Sequence, residues 1–261
     1  MAKKSFTPLD FSKIRTYPVT KRFSKVQTAL LGKKVKKGAS VRSLLRGLPD
    51  ILAAQNLTTI ARKIADCTRR NKTVLLGMGA HPIKVGLSPL IIDFMERGII
   101  HAVALNGAGV IHDFELAYMG ETSEDVAATL KDGSFGMAED TGAFMNEAIS
   151  DGAKNQLGVG AAVGAAIVKN RLPHRNLSIL AAAAKLNIPV TSHIAIGTDI
   201  IHMHPKADGR ALGHCSLRDF PTLASVVATL AGGVYLNFGS AVVLPEVFLK
   251  AVSLARNLGH P

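Results

Sequence analysis

Four histidines and a cysteine stand close together in residues 193–215, where their side chains could bind a metal ion or a polar organic ligand. Two of them, in the pattern His202-x-His204, would place their imidazoles on one face of a strand, a spacing that can hold Zn²⁺. Asp199 and Asp208 are candidates for an acidic third ligand, but no spacing fixes either. We therefore expect no metal and favour an organic ligand. The five residues are His193, His202, His204, His214 and Cys215.

Two glycine-containing loops, GMGAHPIK at residues 77–84 and NGAGVIHD at residues 106–113, each follow an apolar segment and precede a helical one. Backbone N–H groups at such a junction can face a phosphate or a ribose. Neither loop matches G-x-G-x-x-G, because Pro82 and His112 occupy the position of the last glycine. Nucleotide binding and an ordinary tight turn between strand and helix both remain open on these residues alone.

Apolar segments that could form strands alternate along the chain with segments of helical periodicity. The strands are predicted within KTVLLGMG, HAVAL, IPVTSHIAI and GVYLNFG. Because each is apolar on both faces, they predict an α/β fold with a parallel, Rossmann-like sheet flanked by helices. Ligands of such sheets bind at the carboxyl ends of the strands, here the loops at residues 77–84, 106–113, 193–204 and 237–240.

Three further segments lie between or beside these strands. Residues 120–156 are polar and predict a helical insertion or lid. TDIIHMHPKADG predicts a loop or a short strand, and DFPTLASVVATLAG predicts a helix with Pro221 in its first turn.

Basic residues are concentrated at the N-terminus. The 261 residues carry 31 Lys and Arg against 19 Asp and Glu, a net charge of +12. Residues 1–49 hold 13 of these bases and one acid, Asp10, so the other 212 residues have 18 of each and are neutral. We divide the chain into a basic arm, 1–39, and an α/β domain, 40–261. The arm could bind nucleic acid or an acidic membrane surface, but a solvated extension, or one that packs on an acidic neighbouring subunit, is favoured.

The cysteine count and the hydropathy bear on the cellular compartment. Cys67 and Cys215 form no disulfide framework, which indicates a reducing cytoplasm. No stretch resembles a signal peptide or a transmembrane span. We expect a cytoplasmic protein with no membrane partner.

The order of the segments over residues 73–258 resembles the deoxyhypusine synthase family. The likeness is carried by LLGMGAHPIKVGLSPLIIDFMERGIIHAVALNGAGVIHDFELAYMGE, LPHRNLSILAAAAKLNIPV, TDIIHMHP and GGVYLNFGSAVVLPEVFLKA. It implies NAD as cofactor, a polyamine or related amine as substrate, and a homotetramer. Residues 199–204 would face the amine, with His204 matching a histidine that lines the spermidine pocket. The residues implied to contact NAD are Gly79, Ala80, His81, Asn106, Gly107, Ala108, Gly109, His112, Asp113, Gly239 and Ser240.

The chain also departs from the family pattern. In that family an active-site lysine takes the aminobutyl group as an imine, and no matching W-G-K stretch occurs before the chain ends at NLGHP. An acidic pair of the NAD turn is replaced by Ile111-His112. We expect either a chain cut short or the same fold used for different chemistry.

The predicted activity is an NAD-dependent, deoxyhypusine-synthase-like transfer that acts on an amine. An imine-forming lysine would have to be Lys84 or Lys206. The alternatives are a nucleotide-binding protein of this fold without aminobutyl transfer, and a nucleic-acid-binding protein that uses the basic arm. The predicted catalytic residues are His204, Asp199, Lys206 and Lys84.

Overall fold

The computed structural model describes residues 4–261, which fall into two compact units divided between Ala61 and Arg62. The first unit contains three single-turn 3₁₀ helices, at Phe11–Lys13, Val19–Lys21 and Thr28–Leu30, helix α1 (Val41–Gly47) and the beginning of α2 (Leu52–Arg69). The predicted division between arm and α/β domain, at residues 39 and 40, stays a prediction.

The second unit alternates strands and helices. Its strands are β1 (Val74–Met78), β2 (Ala102–Asn106), β3 (Val190–His193) and β4 (Val234–Phe238). Its helices are α3 (His81–Lys84), α4 (Ser88–Glu96), α5 (Gly107–Met119), α6 (Val126–Thr129), α7 (Glu139–Lys154), α8 (Val159–Lys169), α9 (Ile179–Leu186), α10 (Gly209–Val227) and α11 (Val243–Asn257), with 3₁₀ turns at Arg175–Leu177 and Ile200–Met203.

The four strands form one parallel sheet in the order β3-β2-β1-β4. Met78 at the end of β1 lies opposite Leu105 on one side and Phe238 on the other, and Asn106 lies opposite His193. All four strands therefore end at the same edge. The predicted parallel α/β fold is confirmed.

Successive residues of the strands point to opposite faces of the sheet, and each face carries its own core. Leu76 packs in a core built with α4, α5, α7, α8, α9 and the first half of α10, whereas Leu75 packs in a second core with the second half of α10 and with α11. This two-sided burial is the reason that β1 and the first four residues of β2 read as unbroken apolar runs.

Helix α7 lies in the segment that the sequence predicts to be a polar insertion or lid. It buries Met145 and Ile149 in the first core, while Phe144 stacks on Phe114 with ring centroids 4.6 Å apart. The residues at positions 141, 142, 145, 146, 148, 149 and 152 are buried, a stripe at helical spacing. The composition of residues 120–156 does not reveal this buried stripe, because α7 also carries acidic residues.

Helix α10 begins ten residues before the predicted start. Asp208 caps it by accepting from the Arg210 N–H at 2.8 Å. Pro221 therefore lies inside the helix instead of in its first turn, and the missing proline N–H leaves the Leu217 carbonyl without its usual helical donor. Across the described residues 4–261, no helix has both the length and the apolar composition needed to cross a bilayer.

Candidate functional site

A cavity of about 200 Å³ opens at the carboxyl edge of the sheet. It lies between the first turns of α5, residues 123–126 and the segment that leads into the 3₁₀ turn Ile200–Met203. We call it the edge pocket. A larger cavity of about 490 Å³ is lined by α7 and α8 residues away from the strand ends. The ionisable residues lining the edge pocket are Lys84, His112, Glu115, Glu124 and Asp199.

Asp199 is a buried carboxylate with unused hydrogen-bonding capacity. Its side chain is 8% exposed, and Oδ2 has no hydrogen-bond partner within the described part of the chain. Burial raises the pKa of this carboxyl to about 6. A buried carboxylate oxygen without a donor is costly, so a ligand that brings an N–H or O–H group would relieve that cost.

Gly107 and Gly109 lie in the first turn of α5, because the helix begins directly where β2 ends. Asn106 is the N-cap, and its Oδ1 accepts from the Gly109 N–H at 3.0 Å. The prediction of a separate glycine-containing loop at residues 106–113 is wrong, because α5 begins at Gly107. A Cβ at Gly107 would overlap the Asp199 carboxylate, with Cγ only 2.7 Å away, whereas at Gly109 the nearest atom, Cδ2 of Leu105, would be 3.3 Å away.

Gly79 and Gly239 join the ends of β1 and β4. The Gly79 N–H donates to the Phe238 carbonyl at 2.9 Å, and a Cβ at Gly79 would come within 3.0 Å of the Gly239 carbonyl carbon. Gly239 has a φ of +71°, which favours glycine. Contact between these two chain segments thus accounts for both glycines without a ligand.

The remaining predicted cofactor residues of this region surround the same edge. Ala80 precedes α3, and His81 is its first residue and is exposed. Ser240 is buried, and its hydroxyl accepts from the Leu244 N–H at 3.2 Å in the first turn of α11. Ser240 therefore stabilises a helix start.

His112 is held by a hydrogen-bonded chain that the sequence did not reveal. Its Nδ1 lies 2.6 Å from the Thr122 hydroxyl, which donates to Oε2 of Glu115 at 2.5 Å. The other oxygen of Glu115 accepts from Thr141 at 3.2 Å. Burial lowers the pKa of His112, and Lys84 lowers it further against the opposing effect of Glu115. The sequence contained one indication of this contact: His112 and Glu115 are three residues apart on one helix, a spacing at which side chains meet.

Asp113, expected beside NAD, is instead fully buried and holds the start of α9. It accepts from the Ser178 hydroxyl at 2.5 Å and from the N–H groups of Ile179 and Leu180 at 2.7 and 3.2 Å. Burial raises the pKa of Asp113 to about 6 against these hydrogen bonds. Its oxygens are occupied, so the structure leaves it no role at the ligand.

Asp219 on α10 has the equivalent structural role for α8. It accepts from the Ser192 N–H at 2.8 Å and from the Gly160 N–H at 3.4 Å. Burial raises the pKa of this carboxyl to about 7. No motif in the sequence predicts this contact, because its donors stand far away along the chain.

His204 and Lys206 lie outside the edge pocket, on the surface of α7. Nε2 of His204 is 3.1 Å from Glu139, and its ring packs on Gly142. Lys206 pairs with Glu147 at 2.5 Å, which raises the pKa of the lysine. The expectation that His204 and Asp199 line one cleft is therefore not met, since the 3₁₀ turn between them sends the two side chains in different directions. A lysine with a raised pKa is also poorly suited to imine formation.

The histidines of residues 193–215 do not converge. His202 lies in the 3₁₀ turn, and its Nδ1 accepts from the N–H groups of Gly197 and Asp199 at 3.1 and 3.3 Å. Burial lowers the pKa of His193 to about 4. Cys215 is buried in α10 and donates to the Ile149 carbonyl. Within residues 4–261, no three His, Cys, Asp or Glu side chains are grouped as a metal site.

No protein-family model matches the sequence, and no curated protein matches it either. Among solved structures, the chain is similar to ArgZ, an arginine dihydrolase from the ornithine-ammonia cycle in cyanobacteria, at 15% identity and a TM-score of 0.45, over 84% of this chain and 26% of that one. It is similar to a protein from Entamoeba histolytica provisionally assigned as a deoxyhypusine synthase, at 14% identity and a TM-score of 0.44, over 62% of this chain and 63% of that one.

A third similar structure is a protein from Methanococcus maripaludis S2 provisionally assigned as an LOR/SDH protein, at 14% identity and a TM-score of 0.41, over 97% of this chain and 76% of that one. The chain spans less than two thirds of the first two proteins' own length. These similarities indicate only a distant relationship between the folds.

Proposed function

We propose that the edge pocket binds a small cationic amine, with Asp199 as its charge partner. The observation that carries this proposal is the buried carboxylate of Asp199, whose Oδ2 has no donor within residues 4–261. An ammonium group supplies both the N–H donors and the positive charge that such an oxygen lacks. A buried site strengthens that attraction relative to water.

The charge around the pocket favours the same ligand. The described lining residues include three carboxyl groups, those of Glu115, Glu124 and Asp199, and one ammonium group, that of Lys84. His112 adds no positive charge at neutral pH, because its pKa is lowered. A volume of about 200 Å³ lies below the roughly 300–1,000 Å³ of common ligand pockets, so it suits a slender amine better than a whole dinucleotide.

NAD, the cofactor that the sequence resemblance implies, is proposed as the second ligand of this edge. The carboxylate of Asp199 beside Gly107 would repel a pyrophosphate at the start of α5, but it can accept hydrogen bonds from ribose hydroxyls or from the nicotinamide amide. The phosphates would then lie further out, along residues 79–81 and Gly239. NAD would supply the hydride acceptor for oxidation of the carbon that bears the amine nitrogen.

Transfer of an aminobutyl group requires a lysine nucleophile, and Lys84 is the candidate that lines the edge pocket. The alternative, a nucleotide-binding protein of this fold without the transfer step, needs no such lysine. A tetramer, also implied by the resemblance, belongs to the same proposal.

Calorimetric titration with spermidine tests amine binding. Asp199→Asn should weaken binding by about tenfold to a hundredfold, since a hydrogen bond to a charged group is worth about 1.5–3 kcal/mol. Wild-type affinity should fall as the pH drops below about 6, because the Asp199 carboxyl then takes up a proton and loses its charge.

The control for this titration is Asp208→Asn, which changes an exposed carboxylate and keeps a good N-cap for α10. Spermidine binding that is absent, or equal in the wild type and Asp199→Asn, would contradict the proposal. NAD is titrated separately. No measurable NAD binding would remove the cofactor part and leave the amine part standing.

Nucleic-acid binding through the arm is a second candidate function, and the exposure of its aromatic side chains favours it. Phe6, Phe11, Tyr17 and Phe23 are 87%, 76%, 65% and 85% exposed. Basic residues stand among the last three of these rings, at Lys13, Arg15, Lys21, Arg22 and Lys25. Exposed rings that stack on bases, together with basic residues that contact phosphates, are typical of single-strand binding.

Replacing these four aromatic residues with alanine, with every charge kept, should weaken binding of a single-stranded RNA by about tenfold or more, since one stacked base contributes about 1–3 kcal/mol. Fluorescence polarisation at several salt concentrations measures this. Replacing the exposed aliphatic residues Leu9 and Val19 with alanine is the control. Equal affinity in both variants would mean that the rings make no stacking contact.

A further inference from the structure

The proton positions in the chain from Glu115 to His112 can be assigned from the hydrogen bonds. The carboxylate of Glu115 accepts from two hydroxyls, those of Thr122 and Thr141. A hydroxyl has one proton to donate. Because Thr122 gives its proton to Glu115, its oxygen must accept from Nδ1 of His112.

This assignment fixes the tautomer of His112. The ring carries its proton on Nδ1 and a lone pair on Nε2. Nε2 has no hydrogen-bond partner in the described residues, and His112 lines the edge pocket. Nε2 of His112 is thus a basic nitrogen without a protein partner, on a residue that lines the proposed amine site.

We infer that His112 accepts a proton from the amine bound in the edge pocket, with Thr122 and Glu115 as positioning residues. The inference rests on the proposed amine binding. An ammonium nitrogen has no lone pair, so it must lose a proton before it can form a bond to carbon or assist departure of a hydride. The N–H bond of the ammonium breaks, and an Nε2–H bond forms on His112.

The surroundings of His112 favour its neutral imidazole, and Glu115 offsets part of the cost of the imidazolium. The lowered pKa keeps the resting imidazole neutral and able to accept. The imidazolium that forms donates from Nδ1 to Thr122, and the negative charge of Glu115 stabilises it through that hydroxyl. The charged groups that line the pocket around it are Lys84, Glu115, Glu124 and Asp199.

Nitrogen-detected NMR of histidine-labelled protein tests the assigned tautomer. At mildly alkaline pH the wild type should show His112 protonated on Nδ1, and Thr122→Ser should keep that state. Glu115→Leu frees the Thr122 proton to donate to Nδ1, so the tautomer protonated on Nε2 should appear. A wild type protonated on Nε2, or a tautomer that does not change in Glu115→Leu, would overturn the inference. If Glu115→Leu does not fold, the wild-type spectrum still decides.

The acceptor role is tested with His112→Gln, which removes the basic nitrogen. Amine-dependent reduction of NAD should fall in kcat by about a hundredfold, with little change in spermidine affinity. Binding with unchanged kcat, or a bound amine that the wild type does not turn over, would refute the acceptor role and leave amine binding in place. Failure of spermidine to bind at all would instead refute the proposed function, and this inference with it.

Discussion

Replacing Asp113 with alanine should lower the free energy of unfolding by about 3 kcal/mol or more, because each buried donor left without an acceptor costs about 1–3 kcal/mol. The three donors are the Ser178 hydroxyl and the N–H groups of Ile179 and Leu180. Asp113 has no measurable exposure, so water cannot replace the lost acceptor. Loss of the ionised carboxyl, which burial disfavours, offsets a part of this cost.

Urea denaturation followed by circular dichroism measures the change. The matched control is Asp93→Ala, which removes an exposed aspartate that pairs with Arg97, the C-cap residue of α4, and should change stability by no more than about 0.5 kcal/mol. If Asp113→Ala were as stable as Asp93→Ala, the carboxylate would not be holding the start of α9.

Alanine at Gly107 and alanine at Gly109 should have opposite effects, although the two positions share one helical turn. Gly109→Ala should raise the free energy of unfolding by about 0.5–1 kcal/mol, because alanine favours the helix. Its Cβ would lie 3.3 Å from Cδ2 of Leu105, a side-chain methyl that has to move by only a few tenths of an ångström. Gly107→Ala should lower it by about 1–3 kcal/mol, the usual cost of overpacking, since the Cβ would overlap the Asp199 carboxylate.

The two glycine variants are each other's control. Urea denaturation gives the stability difference, and spermidine titration shows whether the Asp199 carboxylate has moved, since binding should weaken in Gly107→Ala and persist in Gly109→Ala. Equal stability and equal affinity in the two variants would mean that Asp199 does not approach Gly107 in solution.

The sheet could be predicted from the sequence because its determinants are local. β1 and β2 are short apolar runs that end at Gly79 and Asn106, and burial on both faces is typical of strands in a parallel sheet. The start of α10 was missed because a proline is typical of the first turn of a helix, whereas Pro221 lies inside α10.

The candidate site could be predicted only in part, because its hydrogen bonds join distant residues. His112 was named from its glycine-containing loop and from the resemblance, Asp199 was named as a site residue from the resemblance, and both line the edge pocket. Asp113 stands next to His112 in the sequence, but successive residues of a helix point in different directions, and its side chain turns toward α9. His204 follows a 3₁₀ turn that the alternation of polar and apolar residues does not reveal.

The order of strands across the sheet has a consequence for synthesis of the chain. Of the four strands described, β4 is made after the other three, yet it pairs with β1, which is made before them, and Val74 lies opposite Val234. While the ribosome is still making the intervening residues, one edge of β1 has no partner, and its sequence VLLGM is apolar. An exposed apolar edge is a template for pairing with other chains. Nascent chains in which translation halts before residue 234 should therefore be the species most prone to aggregate.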